Sequence, residues 1–234
     1  MGSEDGAASG PAGGPGAGGT AGGAGAGGPA ASNGRRGLLI DYGGVLTTSP
    51  FASFESFCEV EGLEPGALAQ RFREDRVCRQ LILDLETGAL PEDEFEPRFA
   101  DLLGVSHVGL IDRLFAAYEP DEPMRRAVAA ARRAGIRTGL VSNSWGTRRY
   151  DRELLSRLFD GVVISGEVGM RKPSREIYEL GAERVGLATS ECVFVDDLPH
   201  NLDPAQELGM AVVHHVTASE TISALERMLG TTLR

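Results

Sequence analysis

The stretch GLLIDYGGVLTTSP, residues 37–50, decides how this sequence folds. After Gly37, three apolar residues run directly into a carboxylate, Asp41, and a turn with two glycines follows. A short, continuous apolar run that ends at a turn is typical of a strand buried in a parallel sheet. Ligands of open parallel sheets bind beyond the carboxyl ends of the strands. The stretch therefore predicts a buried first strand that carries Asp41 to a binding site.

Four further apolar runs of the same type follow, and helical patterns separate them. The runs are RTGLVS (137–142), GVVISG (161–166), CVFVDD (192–197) and AVVHHV (211–216). In the second half of the chain, helical patterns cover residues 122–135, 175–186, 201–209 and 219–230. Strands that alternate with helices predict a doubly wound α/β fold, a parallel sheet with helices on both faces.

The first two predicted strands are about a hundred residues apart, although a simple βαβ unit takes only about 30 residues. The surplus, residues 50–118, has helical periodicity and no convincing strand, so we predict an inserted helical cap. Residues 35–49 and 119–234 then form the α/β core. Residues 1–34 are almost all Gly, Ala, Pro and Ser, which cannot bury enough apolar surface to offset the entropy of ordering them. We expect a disordered tail there.

The composition indicates which kinds of partner and which cellular compartment to expect. A formal net charge of −11 argues against nucleic acid or an anionic membrane as the main partner. No apolar run approaches the roughly 18 residues that a membrane span requires. The three cysteines have no metal-type spacing and leave an odd count, which suits a reducing cytoplasm. We expect a cytoplasmic protein that acts on a small molecule.

Reactive side chains follow the predicted strands at their carboxyl ends. They are Asp41, Ser142, Asn143, Lys172, Asp196 and Asp197. Lys172 is the only lysine of the chain, against 22 arginines. A carboxylate, a hydroxyl with an amide, an ammonium and a pair of acids together favour phosphoryl transfer. In that reaction the protein mainly positions the phosphoryl group and neutralises its charge.

Four motifs give these residues a family context. They are LLIDYGGVL (38–46), GLVSNS (139–144), GMRKPSREIY (169–178) and CVFVDDLPHN (192–201), in that order. With them, residues 37–230 resemble the haloacid dehalogenase (HAD) superfamily of hydrolases, in the subclass that carries a helical cap after the first motif. The third and fourth motifs are especially similar to those of the phosphatase domain of soluble epoxide hydrolases.

The resemblance implies a nucleophile and a metal site. Asp41 would attack phosphorus and form an aspartyl-phosphate. Asp41 and Asp197 would hold Mg²⁺ together with the backbone carbonyl of Gly43. Asp196 would be an auxiliary group beside the metal.

The resemblance also assigns the groups around the phosphate. Ser142 and Asn143 would donate hydrogen bonds to the phosphoryl oxygens. Lys172 would neutralise Asp41 and the phosphate together. A compact ammonium fits between two anions where a planar guanidinium would not, which gives the single lysine a physical reason.

One feature departs from the pattern of the superfamily. Most of its phosphatases have a second Asp two residues after the nucleophile, and this Asp protonates the leaving alcohol; here that residue is Gly43. Such a proton transfer contributes typically 10²–10⁴-fold to the rate. Either the substrate has a leaving group that needs little protonation, or another group supplies the proton, or catalysis is vestigial. Asp196, His200, Thr47 and a substrate hydroxyl are the candidate donors.

We therefore expect a Mg²⁺-dependent phosphatase that acts on a small phosphorylated metabolite. A catalytically silent protein that binds a phospholigand or a partner is the alternative. A haloacid dehalogenase is a weaker one, because such enzymes need no Mg²⁺ and the acids at 196–197 are intact. Tyr42 and Trp145 follow site residues in the sequence, and each is expected either to shape the pocket or to pack beside it.

Overall fold

The computed structural model describes residues 34–234 of the chain. The predicted tail, residues 1–34, lies outside the described residues except for Gly34, which is exposed.

A five-stranded parallel sheet forms the centre of the fold. Its strands are β1 Gly37–Ile40, β2 Arg137–Ser142, β3 Gly161–Ile164, β4 Cys192–Asp196 and β5 Ala211–His214. Their order in the sheet is β3-β2-β1-β4-β5, and every neighbouring pair is parallel. The chain builds one half of the sheet outward from β1 and then crosses to β4 on the other side of β1. This order confirms the predicted doubly wound α/β fold.

Helices cover both faces of the sheet. On one face lie α6 Glu122–Arg133, α7 Arg152–Leu158 and α11 Ala218–Leu229; on the other lie α9 Arg175–Arg184 and α10 Pro199–Glu207. A single turn, α8 Ser165–Val168, follows β3. Successive residues of β1 point to opposite faces. Leu38 and Ile40 accordingly pack with α6 and α11, and Leu39 packs with α9.

Five helices lie between β1 and α6. They are α1 Pro50–Glu61, α2 Ala67–Glu74, α3 Arg76–Glu86, α4 Glu92–Leu103 and α5 Leu110–Leu114. In this fully described segment there is no strand. The helices pack around their own buried cluster, which is rich in phenylalanine and includes Phe54, Phe95, Phe99 and Phe115. We call residues 50–118 the helical segment.

The two ends of the helical segment run side by side. Thr47 and Pro120 form an antiparallel bridge. The backbone N–H of Thr48 donates to the carbonyl of Glu119 at 2.8 Å, and the N–H of Asp121 donates to the carbonyl of Leu46 at 2.9 Å. Entry and exit are therefore clamped together next to the turn that follows β1.

None of the helices between residues 34 and 234 combines the length and apolarity needed to cross a bilayer. The longest have 12 residues, whereas a span needs about 20.

Candidate active site

Asp41 lies at the carboxyl end of β1, where the sheet order reverses. Its backbone N–H donates to the carbonyl of Val195 in β4 at 3.0 Å, and its side chain is largely buried. Ligands of doubly wound sheets bind at such a reversal. The apolar run of β1 thus places one carboxylate at the expected position.

The two glycines after Asp41 have different roles. Gly44 has φ +74°, and a Cβ there would collide with the carboxylate of Asp197. Gly43 does not have a left-handed backbone, and a Cβ built on it would lie 2.9 Å from the hydroxyl oxygen of Tyr118. Of these two positions, only position 44 therefore requires glycine both for its backbone conformation and for the close approach of another side chain.

Lys172 is the electrostatic centre of the site. Its side chain is 1% exposed, and Nζ lies 2.7 Å from Oδ1 of Asp41 and 2.7 Å from Oδ2 of Asp196. Burial alone would lower the pKa of Lys172, but the charges of Asp196 and Asp41 raise it above its ordinary value. The lysine is therefore charged and shared between two acids.

Asn143 holds the backbone of Lys172 in place. The Asn143 amide donates to the Lys172 carbonyl at 3.0 Å, and the Lys172 N–H donates to the Asn143 side-chain oxygen at 2.8 Å. From the sequence, Asn143 was expected to bind phosphoryl oxygens. In the structure its side chain positions the lysine and has one N–H left for a ligand.

Ser142 lies at the end of β2 and is almost fully buried. Its Oγ lies 2.8 Å from the hydroxyl oxygen of Tyr150. Both residues line the same cavity as Asp41. The hydroxyl of Ser142 is thereby oriented at the cavity floor.

Asp196 and Asp197 differ in how far their oxygens are engaged. Oδ1 of Asp196 accepts from the N–H of Leu198 at 2.9 Å and from the Asn201 amide at 3.0 Å, while Oδ2 accepts from Lys172. Asp197 lines the cavity. Both oxygens of Asp196 are thus hydrogen-bonded within the protein, whereas Asp197 lines the cavity.

Three acids meet around the single ammonium. Asp41, Asp196 and Asp197 can each place one oxygen within 4.8 Å of the others. Burial raises the pKa of Asp41, with Lys172 opposing and the other two acids adding to the shift. Burial, and then the charge of Asp196, raise the pKa of Asp197 to about 6. The site holds three carboxyl groups and one ammonium group, and oxygen donors in this arrangement suit a hard divalent cation.

A cavity of about 740 Å³ opens above these residues. Polar groups form its floor, and the helical segment supplies an aromatic wall that includes Phe54, Phe72 and Phe115. Trp145, two residues after Asn143, inserts between the two parts, with its ring 5.3 Å from that of Phe54. Trp145 and Tyr42 both line the cavity. They are therefore close to the site residues in the structure as well as in the sequence.

The other cavity residues include four with polar groups that have no role assigned from the sequence. Tyr118 and Tyr150 present hydroxyls near Asp41. Glu86 of α3 is buried beside Arg171, 2.8 Å from its Nε, and burial raises the pKa of Glu86 to about 6. Only Arg171 carried a sequence signal, since it precedes Lys172. The other three lie in segments where no local sequence pattern indicates that they reach the ends of the strands.

Known proteins that resemble this chain are consistent with the geometry of the site. Residues 36–209 match the family model of the haloacid dehalogenase-like hydrolases. The chain belongs to this family. That membership confirms the resemblance seen in the four motifs and makes the protein a HAD hydrolase.

The relatives of this HAD hydrolase include phosphatases. It is 30% identical over 129 residues to bifunctional epoxide hydrolase 2 of Rattus norvegicus, which covers 52% of this chain and 23% of the relative. It is 31% identical over 83 residues to a glyceraldehyde 3-phosphate phosphatase of Methanocaldococcus jannaschii, 34% of this chain and 36% of the relative. The matches thus span only about a quarter to a third of these curated relatives.

The fold also matches a solved structure over most of the chain. A HAD-family enzyme of Bacteroides thetaiotaomicron, crystallised as a magnesium complex, superposes with a TM-score of 0.61 and 24% identity. The match covers 83% of this chain and 99% of that one. At this identity the likeness establishes the fold.

Proposed function

We propose that this HAD hydrolase is a Mg²⁺-dependent phosphatase that cleaves a phosphate monoester through a phosphorylated Asp41. The observation that carries the proposal is the contact between Lys172 and Asp41 at the carboxyl end of β1. A buried ammonium favours the ionised form of the adjacent carboxylate against the effect of burial, and it neutralises the negative charge that a phosphate brings. Relatives that are named as phosphatases support this reaction class.

The first half of the reaction forms an acyl phosphate. An oxygen of Asp41 attacks phosphorus, and the bond from phosphorus to the alcohol oxygen breaks as the new bond forms. Ser142 donates a hydrogen bond to a phosphoryl oxygen, and Lys172 stabilises the charge on the transferred group. Water then attacks phosphorus, which releases phosphate and restores Asp41.

The acids of the site fit Mg²⁺ as a cofactor. Asp41 and Asp197 would hold it, with the backbone carbonyl of Gly43 as a further oxygen donor and Asp196 as the acid that orients Lys172. When bound, the metal supplies positive charge to the phosphoryl oxygens. The excess of buried carboxylates over ammonium groups supports a divalent cation at this position.

The cavity supports a substrate with an apolar organic part. Phe54, Phe115 and Trp145 form much of the wall opposite the phosphoryl floor. Two of the arginines that line the cavity are paired with acids of the protein: Arg149 pairs with Asp112 at 2.5 Å, and Arg171 contacts Glu86. We propose that the helical segment acts as the cap that binds the body of a small phosphorylated metabolite.

A phosphorylated intermediate can be sought directly. The enzyme is mixed with p-nitrophenyl phosphate and Mg²⁺, quenched in acid and digested, and the peptide that contains Asp41 is analysed by mass spectrometry. We expect a phosphoryl adduct on Asp41 that is absent from Asp41→Asn. Steady turnover with no adduct, even with rapid quenching, and with full activity in Asp41→Asn would contradict the proposal.

A further inference from the structure

The space beside Gly43 is occupied by a tyrosine hydroxyl. A Cβ built on Gly43 would lie 2.9 Å from Oη of Tyr118, and its next neighbour would be Cγ of Pro50 at 3.8 Å. The backbone of Gly43 is not left-handed, so conformation does not exclude a side chain there. What fills the direction in which a carboxyl side chain would project is the end of Tyr118.

Tyr118 is held firmly from the helical segment. Its backbone N–H donates to the carbonyl of Phe115 at 3.1 Å, and its ring meets the Phe115 ring edge-on at 4.9 Å between centroids. The residue lies one position before the antiparallel crossing at Glu119 and Thr48. The clamp that joins the two ends of the segment therefore also fixes the hydroxyl over the turn after β1.

The hydroxyl of Tyr118 is kept protonated. Burial, and after it the charge of Asp41, raise its pKa above the ordinary value. Tyr118 lines the cavity with Asp41 and Asp197. It therefore presents an O–H donor beside the nucleophile.

The donors expected from the sequence are less suitable. The oxygens of Asp196 are engaged by Lys172, Leu198 and Asn201. Thr47 donates to the carbonyl of Thr48 at 3.1 Å. His200 is exposed at the edge of the cavity.

We propose that Tyr118 donates a hydrogen bond to the oxygen of the departing alcohol and takes the place of the missing carboxyl group at position 43. This role rests on the proposed phosphatase function. As Asp41 bonds to phosphorus, the alcohol oxygen leaves with the electron pair of the broken bond. The Tyr118 O–H stabilises the charge that builds on this oxygen. The alcohol takes its proton from water, and Tyr118 keeps its own.

A leaving-group series tests the role of Tyr118. The rates of aryl and alkyl phosphates are measured on wild type, Tyr118→Phe and the matched control Tyr178→Phe. Tyr178 of α9 donates to the carbonyl of Asn201, and Tyr178 itself does not line the cavity. We expect Tyr118→Phe to lower kcat for alkyl phosphates by about 10²-fold, as for loss of one oxyanion donor, with little change in KM. The loss for p-nitrophenyl phosphate should be much smaller, and Tyr178→Phe should keep the wild-type slope.

Equal slopes in wild type and folded Tyr118→Phe would overturn the role of Tyr118 alone. Absence of wild-type turnover on every phosphate would instead remove the phosphatase function. The double variant Gly43→Asp/Tyr118→Phe tests for rescue. With the Tyr118 hydroxyl gone, the new carboxyl group should raise alkyl phosphate turnover above that of Tyr118→Phe. A folded double variant without this gain would count against the view that the hydroxyl and a carboxyl group at position 43 act at the same place.

Discussion

The Nζ of Lys172 lies 2.7 Å from Oδ1 of Asp41, and both side chains are buried. An ammonium in this position serves the fold and the reaction at once. It compensates a carboxylate that would be costly to bury alone, and it faces the place where a phosphoryl group meets that carboxylate. Much of the chemistry proposed for the site therefore depends on one lysine in a chain that otherwise uses arginine.

Replacing Lys172 should be damaging even when the charge is kept. We expect Lys172→Arg to lose activity nearly as completely as Lys172→Ala, because a planar guanidinium cannot fit between Asp41 and Asp196 at these distances. Lys172→Ala should also lower the free energy of unfolding by about 3–5 kcal/mol, since it leaves two buried acids unpaired. Turnover of p-nitrophenyl phosphate and denaturant unfolding measure the two effects.

The exposed Arg126→Lys variant serves as a control for the exchange of one basic residue for another. It should match wild type in both assays. Near-wild-type kinetics for Lys172→Arg would show that position 172 needs only a general positive charge.

Gly44 should tolerate a side chain less well than Gly62, a left-handed glycine in open space. Gly44→Ala meets both the backbone cost of φ +74° and a collision with the Asp197 carboxylate. Gly62 has φ +69° with open space around it, so Gly62→Ala carries the backbone cost alone. We expect Gly44→Ala to reduce stability by about 1–3 kcal/mol and to weaken activation by Mg²⁺.

Thermal unfolding and Mg²⁺ titration of activity compare the two glycine variants. Gly62→Ala should keep the metal response of wild type. Equal losses of stability, with an unchanged metal response in Gly44→Ala, would be incompatible with Asp197 as a metal ligand held against that turn.

Binding of Mg²⁺ should stabilise the protein more at higher pH. The pKa values of Asp41 and Asp197 are raised in the folded state, that of Asp197 to about 6 from 3.8. The folded state without metal therefore holds more protons than the unfolded state between these values, and its stability falls as the pH rises through this window. Mg²⁺ requires the ionised acids and offsets that loss.

Melting temperatures with and without Mg²⁺ provide the measurement. The increase caused by the metal should be clearly larger at about pH 8 than at about pH 5. Asp197→Asn should lose most of the increase at both values. An equal metal effect at the two pH values in wild type would argue against binding by these raised-pKa acids.

The sequence predicted the sheet and the residues at its edge because both depend on local patterns. The apolar run after Gly37 and the three runs before Ser142, Asp196 and His214 are short and continuous, and each becomes a strand. Parallel strands bring their carboxyl ends to one edge. That is why Asp41, Lys172 and the acid pair meet as expected.

Other features depend on distances that no local pattern records. Helix α7 has seven residues and α8 has four, too short for a periodic signal. The two glycines at 43 and 44 look alike in sequence, and only their backbone conformations and the packing of Tyr118 and Asp197 distinguish them. Tyr118 itself is 77 residues from Asp41 along the chain. Its place over the site follows from how the helical segment returns to the core.

The most direct test of the central claim is hydrolysis of p-nitrophenyl phosphate by the purified protein with and without Mg²⁺, with Asp41→Asn as the background. We expect release of phosphate that requires Mg²⁺ and that disappears in Asp41→Asn while thermal unfolding stays close to that of wild type. No metal-dependent release from wild type, or metal-free release of halide from a 2-haloacid in its place, would contradict the assignment of this site as a Mg²⁺-dependent phosphatase.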